Sequence, residues 1–513
     1  MGPQPLRVCV RLAPESHLTF GHPKMMHDRV VPEDLMRWTG PDESTVFVVG
    51  AGFSRAVSDR MPLTDELGDA ALERLRPVLP PRLALYRLPE GLNFEAWLSQ
   101  LATDQPYLPD AENAENRAAF QRFSEVIAEI IGLRVSEVLA NSYPEWLLAF
   151  VSAAHHTRAT VITFNYDPLI ECMVATPTGI LGQPTEFGQV WQGVSWTELT
   201  GGLPPWPAGD FRLAAEQVET LRLLKLHGSL NWYWRPGDSS GVSVVRRDLP
   251  GWFGEPQPYE EEQRRRVVPG RTPFVVPPTA SKSDYYANPI TSEMWRQAAE
   301  RLRDAQRVVF MGYSMPLTDV TFANMFRDSV VYDNNSRAEV VIADYFPDPV
   351  LERLTALGVP PGRLRSVAAG STAIESVIAA WTDALSNAVL SQVVDEQLET
   401  LLILAWGDRT AYAPVEQVQV DDDGLTVIAD AVYSSFSGAS GIGSRPAHSV
   451  SDLRRTIDNF GLDVRAGRLR ASTRASGPNP VIAWQRYGAS TGQGSGDWLV
   501  LQVAGTPPGA WLP

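Results

Sequence analysis

Short apolar runs alternate with amphipathic stretches along the first three quarters of the chain. Consecutive apolar, largely β-branched residues occur at 46–50, 159–164, 221–228, 307–312, 338–344 and 363–369. Between them, alanine, glutamate and leucine recur at helical spacing, as at 112–141, 144–156 and 291–305. Strands that are apolar throughout are typical of a parallel sheet covered by helices on both faces. The pattern predicts an α/β fold, a Rossmann-like doubly wound parallel sheet with a helical insertion.

This pattern changes twice and divides the chain into three predicted segments. Residues 1–43 show no sustained period and are expected to be an N-terminal extension. Residues 44–388, closing with a helix near 371–388, form the predicted α/β domain. In residues 389–513, alternating runs such as GLTVIADAVY (424–433) are separated by Gly, Ser and Pro clusters. That texture favours a small C-terminal α+β domain.

Composition narrows the class of protein without identifying it. The 513 residues are 44% hydrophobic and 20% charged, which is typical of a globular protein with a sizeable core. A formal net charge of −16 gives no strong nucleic-acid signal, because phosphates repel an acidic surface. The two cysteines, Cys9 and Cys172, are too few for a four-cysteine zinc site. We therefore expect no metal. We find neither a membrane-spanning apolar run nor a signal-peptide pattern, so we expect a cytoplasmic protein.

Four polar motifs stand at the carboxyl ends of predicted strands. They are VGAGFS (49–54), TFNYD (163–167), LHGSLNW (226–232) and MGYS (311–314). Because the carboxyl ends of parallel strands meet at one edge, we expect the motifs to share one crevice. Each also has a simpler interpretation. The glycines suit a tight corner, Asp167 suits a helix cap, the histidine suits a packed or solvated position, and the last motif suits an ordinary turn.

The order of these motifs resembles that of the sirtuin family, and in particular the bacterial SIR2-like NAD-hydrolysing domains of phage-defence proteins. The resemblance covers roughly residues 44–388 and implies NAD⁺ as substrate. It places Asn165 by the nicotinamide ribose with a water, and His227 as the base toward the ribose hydroxyls. Asp167 would bind the nicotinamide carboxamide. The other NAD-binding residues that it implies are Gly50, Ala51, Gly52, Phe53 and Ser54 at the pyrophosphate, and Gly312, Ser314 and Asp344 toward the adenosine.

Departures from the protein-deacylating sirtuins favour water over acetyl-lysine as the acceptor. No cysteine follows Cys172, so the zinc module of the deacylases is missing. The segment that would pair with a peptide, TPFVVPPTASK (272–282), contains Pro277 and Pro278, which suit strand pairing poorly. The resemblance therefore implies an NAD⁺ glycohydrolase that yields nicotinamide and ADP-ribose. A protein deacylase and a non-catalytic sensor of NAD or ADP-ribose stay open as alternatives.

The same resemblance implies a toxic effector of antiviral abortive infection, which must be restrained in the resting cell. We expect a homo-oligomer and an activator that is either phage-derived or a partner protein. Residues 389–513 are the expected regulatory or assembly segment.

Overall fold

The structure of the protein is a computed structural model. It describes residues 44–84, 94–141, 143–174, 221–235, 244–246, 269–276, 286, 288–332, 338–367, 370–396, 399–406, 409–415, 417–421, 424–436, 464–472, 481–487 and 498–503. The N-terminal extension predicted at 1–43 lies outside the described residues.

Strands and helices alternate through the first of these regions, as the apolar runs predict. The described strands up to residue 367 are β1 (Thr45–Val49), β2 (Thr160–Thr163), β3 (Arg222–Lys225), β4 (Gly228–Trp234), β5 (Val245–Arg246), β6 (Thr272–Val275), β7 (Arg307–Met311), β8 (Glu339–Ala343) and β9 (Leu364–Ser366). The described helices are α1 (Ala51–Val57), α2 (Thr64–Leu75), α3 (Pro81–Ala84), α4 (Phe94–Ala102), α5 (Asp110–Asn141), α6 (Glu145–His156), α7 (Leu169–Val174), α8 (Pro289–Asp304), α9 (Val320–Phe326), α10 (Pro347–Ala356) and α11 (Ala373–Glu396), with a π-helical turn at Arg327–Tyr332 and a 3₁₀ turn at Pro361–Arg363.

Six of these strands form a central sheet in the order β3-β2-β1-β7-β8-β9, and every neighbouring pair is parallel. Counted within this sheet, the order is the 3-2-1-4-5-6 of the Rossmann fold. The order reverses between β1 and β7, which is where a ligand crevice opens in such sheets. The remaining strands form a small antiparallel sheet in the order β5-β4-β6.

Alternate residues of each central strand enter two separate cores, one on each face of the sheet. On β1, Phe47 and Val49 pack into the core formed with α1 to α7 and α11. Val46 and Val48 pack into the other core, which α8, α9 and α10 cover. Because both faces are covered, both sets of side chains must be apolar, which explains the uninterrupted apolar runs. The predicted α/β fold with a parallel, helix-covered sheet is confirmed.

Residues that commonly start helices do so in this structure, and the predicted helices are present. Helix α8 starts where the Asn288 side chain accepts a hydrogen bond from the Ile290 N–H, with Pro289 in the first turn. The helical insertion predicted at 112–141 and 144–156 is present as α5 and α6. Among the helices that the structure describes, none is both long enough and apolar enough to cross a membrane.

Helix α11 runs to Glu396 and so passes the boundary predicted at residue 388. The described residues beyond it form the strands β10 (Glu399–Trp406), β11 (Arg409–Pro414), β12 (Gln417–Asp421), β13 (Gly424–Phe436), β14 (Val464–Ser472), β15 (Val481–Tyr487) and β16 (Trp498–Val503). They make one sheet in the order β12-β13-β11-β10-β16-β15, with β14 also paired to β13. The sequence predicts an α+β domain here, and the elements described beyond Glu396 are all strands. Strand β15 lies beside helix α6.

Candidate active site

A cavity of about 900 Å³ lies at the carboxyl ends of the central strands, where the strand order reverses. Its size is typical of a small-molecule binding site. Ten of the eleven residues assigned by the family resemblance line it: Gly50, Ala51, Gly52, Ser54, Asn165, Asp167, His227, Gly312, Ser314 and Asp344. The expectation that the four motifs share one crevice is therefore met.

Phe53 is the exception, because its ring belongs to the core. The residue is 1% exposed, and its ring lies 5.6 Å from the rings of Trp146 and Phe150 on α6. Its backbone N–H donates to the Gly50 carbonyl at 2.9 Å. Phe53 thus anchors the β1–α1 turn to the helical layer and does not line the cavity, contrary to its assignment as a ligand-binding residue.

Close packing of two turns explains the glycines around the cavity. The Gly52 N–H donates to the Gly312 carbonyl at 2.8 Å, so this N–H already has a partner within the protein. A Cβ on Gly312, whose φ is +61°, would lie 2.2 Å from the Phe53 nitrogen, and one on Gly52 would lie 2.7 Å from the Gly312 Cα. Glycine is therefore needed to bring the turns after β1 and β7 into contact. The tight-corner interpretation of the first motif therefore holds for Gly52.

One wall of the cavity is a chain of short hydrogen bonds centred on Asn165. The Asn165 Nδ2 donates to the Gly50 carbonyl at 2.8 Å and to the Ser54 Oγ at 2.9 Å. The Ser54 hydroxyl in turn donates to the Asp167 Oδ2 at 2.7 Å. Because both amide protons of Asn165 are engaged, the side chain has only its Oδ1 acceptor left for a ligand or water.

Asp167 supports the start of helix α7 as well as this wall. Its Oδ1 accepts a hydrogen bond from the Leu169 N–H at 3.2 Å, so the helix-cap interpretation also holds. Behind it, the Lys225 ammonium donates to the Asp167 carbonyl at 2.7 Å and to the Glu171 Oε1 at 2.9 Å. Lys225 and Glu171 are each 1% exposed. Burial raises the pKa of the Glu171 carboxyl, and the attraction of Lys225 partly opposes that rise.

His227 lies in the two-residue link between β3 and β4. The apolar run at 221–228 predicts a single strand, but strand β3 already ends at Lys225. The histidine is 5% exposed, and its ring meets the Phe164 ring edge-on at 4.9 Å. The next residue, Gly228, has φ +79°, and a Cβ there would lie 2.0 Å from the Phe274 carbonyl oxygen. The His-Gly pair thus makes the sharp change of direction that brings the imidazole to the cavity.

Two residues beside His227 had not been singled out in the sequence. The Asp319 Oδ1 lies 3.8 Å from the His227 Nε2, and the Tyr313 hydroxyl donates to the Asp319 Oδ2 at 2.8 Å. The Tyr313 ring stacks on Phe164 with a centroid distance of 4.3 Å. Burial raises the pKa of Tyr313 well above its ordinary range, so its hydroxyl keeps its proton at neutral pH. The signal that could have found Asp319 is the acid that closes GYSMPLTD (312–319).

The mouth of the cavity is more exposed than its floor. Asp344, directly after β8, accepts a hydrogen bond from the Phe346 N–H at 2.9 Å, and burial raises the pKa of its carboxyl. Tyr345 and Phe346 expose most of their surface beside it. Ser314 is exposed, and its carbonyl accepts a hydrogen bond from Arg353.

Carboxylates dominate the charged part of the cavity lining. The described lining residues include one arginine, Arg55, and seven acids: Asp59, Asp65, Glu66, Glu95, Asp167, Asp319 and Asp344. Arg55 makes a two-pronged ion pair with Glu66 at 2.9 and 3.1 Å. The acidic lining favours a ligand that carries positive charge. Arg55 is the arginine of the described lining that can pair with an anionic part of a ligand.

Within the described ranges, no three His, Cys, Asp or Glu side chains are grouped to hold a metal ion. Together, the fold and the cavity define a Rossmann-like α/β protein with a cavity at the switch point of its sheet. No protein-family model and no curated protein matches the chain.

Proposed function

We propose that the protein is a SIR2-like NAD⁺ glycohydrolase that cleaves NAD⁺ to nicotinamide and ADP-ribose. One observation carries the proposal: Asn165, Asp167 and His227 line a single cavity at the point where the strand order reverses. They reach it from motifs whose order along the chain resembles that of the sirtuin family.

Departure of nicotinamide is the first part of the proposed reaction. The bond between the nicotinamide nitrogen and the ribose C1′ breaks, and its electron pair returns to the ring, which leaves neutral. Positive charge then develops on the ribose, where an acidic lining stabilises it. Both Asp167 oxygens accept one hydrogen bond within the protein, and each keeps capacity to accept another from the carboxamide NH₂.

Attack by water completes the proposed reaction. A water held by the Asn165 Oδ1 bonds to C1′, and His227 takes the released proton. Asn165 is uncharged and its amide is fixed by Gly50 and Ser54, so it orients the water without bonding to the ribose cation. Histidine suits the proton transfer because its ordinary pKa is close to neutral pH.

The test is nicotinamide release from NAD⁺ by the purified full-length protein, followed by chromatography. We expect Asn165→Ala and His227→Gln each to lower the rate by about 10²–10⁴-fold. Asn324→Ala, an exposed asparagine on α9, is the matched control and should retain the wild-type rate.

The alternatives give different results in the same experiment. Binding of NAD⁺ without nicotinamide release would contradict the glycohydrolase and favour a sensor. Release that requires an acyl-lysine peptide would favour a deacylase.

The biological part of the proposal is an antiviral effector in the cytoplasm that acts as an oligomer under a phage-derived or partner-protein activator. This part rests on the family resemblance. One contact offers a route for regulation by residues 389–513: strand β15 lies beside α6, whose Trp146 and Phe150 pack on Phe53 in the β1–α1 turn. In infected cells, wild type should deplete NAD and protect the population, whereas Asn165→Ala should do neither. Equal protection by both would overturn the effector role.

A further inference from the structure

We propose that Asp319 is a positioning residue for His227, which holds the imidazole in place and stabilises its protonated form during proton transfer. The inference rests on the proposed function, in which His227 accepts a proton. It concerns two residues that come together only in the folded chain, at the end of β3 and the start of α9.

The geometry places a carboxylate against the imidazole in a site that is almost closed to water. The Asp319 Oδ1 and the His227 Nε2 are 3.8 Å apart, and their side chains are 5% and 6% exposed, respectively. This separation is longer than a hydrogen bond, yet an opposite charge this close favours the protonated imidazole. In unliganded enzymes, hydrogen bonds between catalytic groups are often long and shorten when the ligand binds.

A capping role does not account for Asp319. The residue is the N-cap of helix α9, where aspartate commonly accepts a hydrogen bond from the first turn, but its side chain makes no such bond. It is turned instead toward Tyr313, whose hydroxyl donates to Oδ2, and toward His227. The carboxylate is thus directed at the histidine rather than at its own helix.

Aromatic packing fixes the relative positions of the pair. The Phe164 ring stacks on Tyr313 with an interplanar angle of 8° and meets His227 edge-on at 75°. Tyr313 therefore links the two residues, through its hydroxyl to Asp319 and through Phe164 to His227. The packing limits rotation of the imidazole. A bound ligand then has to induce only a short movement that brings His227 and Asp319 into hydrogen-bond distance.

Other ionisable groups lie around His227 and Asp319 and contribute to the charge of the cluster. Tyr313 keeps its proton, since burial and the charge of Asp319 both raise its pKa. Glu95 on α4 adds negative charge near Tyr313 and Tyr286. The negative charge around this cluster thus comes from more than one acid, and Asp319 is the described carboxylate that lies within 4 Å of the His227 Nε2.

The test is the pKa of His227, measured by NMR titration of the histidine ring protons in the full-length protein without NAD⁺. His227→Gln assigns the signal. We expect Asp319→Asn, which keeps the shape and a good N-cap residue, to lower the pKa of His227 by about one unit or more. Asp348→Asn, which removes an exposed carboxylate on α10, should leave that pKa unchanged. A folded Asp319→Asn variant with an unshifted His227 would overturn the proposal.

A second readout uses the enzymatic rate. If NAD⁺ is cleaved, the acidic limb of the pH–rate profile should move to lower pH in Asp319→Asn by the same amount as the NMR pKa, with a lower maximum rate. A merely structural loss would lower the rate without moving the limb, and would contradict the proposal.

Two further outcomes separate the inference from the glycohydrolase proposal. A shifted His227 in a protein that never releases nicotinamide would support the pair and overturn the glycohydrolase. If Asp319→Asn does not fold, the wild-type pKa of His227 decides. A value above about 6.5 supports the pair, and a value at or below it overturns the pair, since burial alone lowers a histidine pKa.

Discussion

The two side walls of the cavity hold their polar side chains by different means. On one wall, hydrogen bonds of 2.7 to 2.9 Å join Gly50, Asn165, Ser54 and Asp167 into a continuous chain. On the other, the His227 ring packs edge-on against Phe164, and its Nε2 lies 3.8 Å from the Asp319 Oδ1, beyond hydrogen-bond distance. In the proposed reaction, the first wall orients the leaving group and the water, and the second receives the proton. The difference suggests that orientation is built in advance, whereas proton transfer awaits closure around the ligand.

The hydrogen-bonded wall rests on a buried ion pair, and breaking that pair is expected to have the largest effect on stability. Lys225→Met removes the donor to the Asp167 carbonyl and leaves the Glu171 carboxyl buried without its cation. Loss of one partner of a buried pair costs about 3–5 kcal/mol. Chemical denaturation of wild type and variant would measure the loss of unfolding free energy.

The control for Lys225→Met is the double variant Lys225→Met with Glu171→Leu. It replaces the pair by apolar groups and should recover much of the lost stability. In the single variant, the pKa of Glu171 rises further, because only burial then acts strongly on it. A carboxyl whose folded pKa is raised loses stability as the pH rises through that pKa. The defect should therefore grow as the pH rises above the Glu171 pKa of the folded wild type, which itself lies above 4.5. A defect that shrinks over this range would contradict the assignment.

Ser54→Ala tests the wall itself and should have an intermediate effect. The hydroxyl both accepts from Asn165 and donates to Asp167, so its removal leaves an amide proton and a carboxylate oxygen each short of a partner. The expected loss of unfolding free energy is about 1–3 kcal/mol. Ser136→Ala, which removes an exposed hydroxyl bonded only within α5, should be close to neutral. Equal stability of the two variants would mean that the wall is not held through Ser54.

Some features of the two walls can be predicted from the sequence and others cannot. Apolar runs such as Val46–Val49 predict the sheet, because residues covered on both faces leave a local pattern. The motif around Asn165 is visible for a similar reason, since it stands directly after a predicted strand. The pairing of Lys225 with Glu171 and that of His227 with Asp319 leave no local pattern, because strand order brings each pair together. The inward ring of Phe53 was missed because a loop motif does not show which of its side chains turns toward the core.

Arg55, the one arginine of the described cavity lining, differs from the polar residues of both walls because it is paired in solvent. The Arg55 and Glu66 side chains are 36% and 50% exposed, so their ion pair contributes only about 0.2–1 kcal/mol. If Arg55 receives the pyrophosphate of NAD⁺, Glu66→Gln should free it and lower the KM by up to about fivefold without changing kcat. The amide oxygen of the substituted side chain can still accept the hydrogen bond that Glu66 takes from the Leu63 N–H, so helix α2 keeps its start.

The matched control for Glu66→Gln is Glu293→Gln, which breaks an exposed Arg–Glu pair on α8 that does not line the cavity. It should leave the KM unchanged. The gain from Glu66→Gln should also shrink as ionic strength rises, because salt screens the attraction between the partly exposed Arg55 and a phosphate. An unchanged KM in Glu66→Gln at low salt would mean that the pyrophosphate does not bind at Arg55. The anionic half of the substrate would then need another donor, because the Gly50, Gly52 and Phe53 N–H groups of the β1–α1 turn already have partners within the protein.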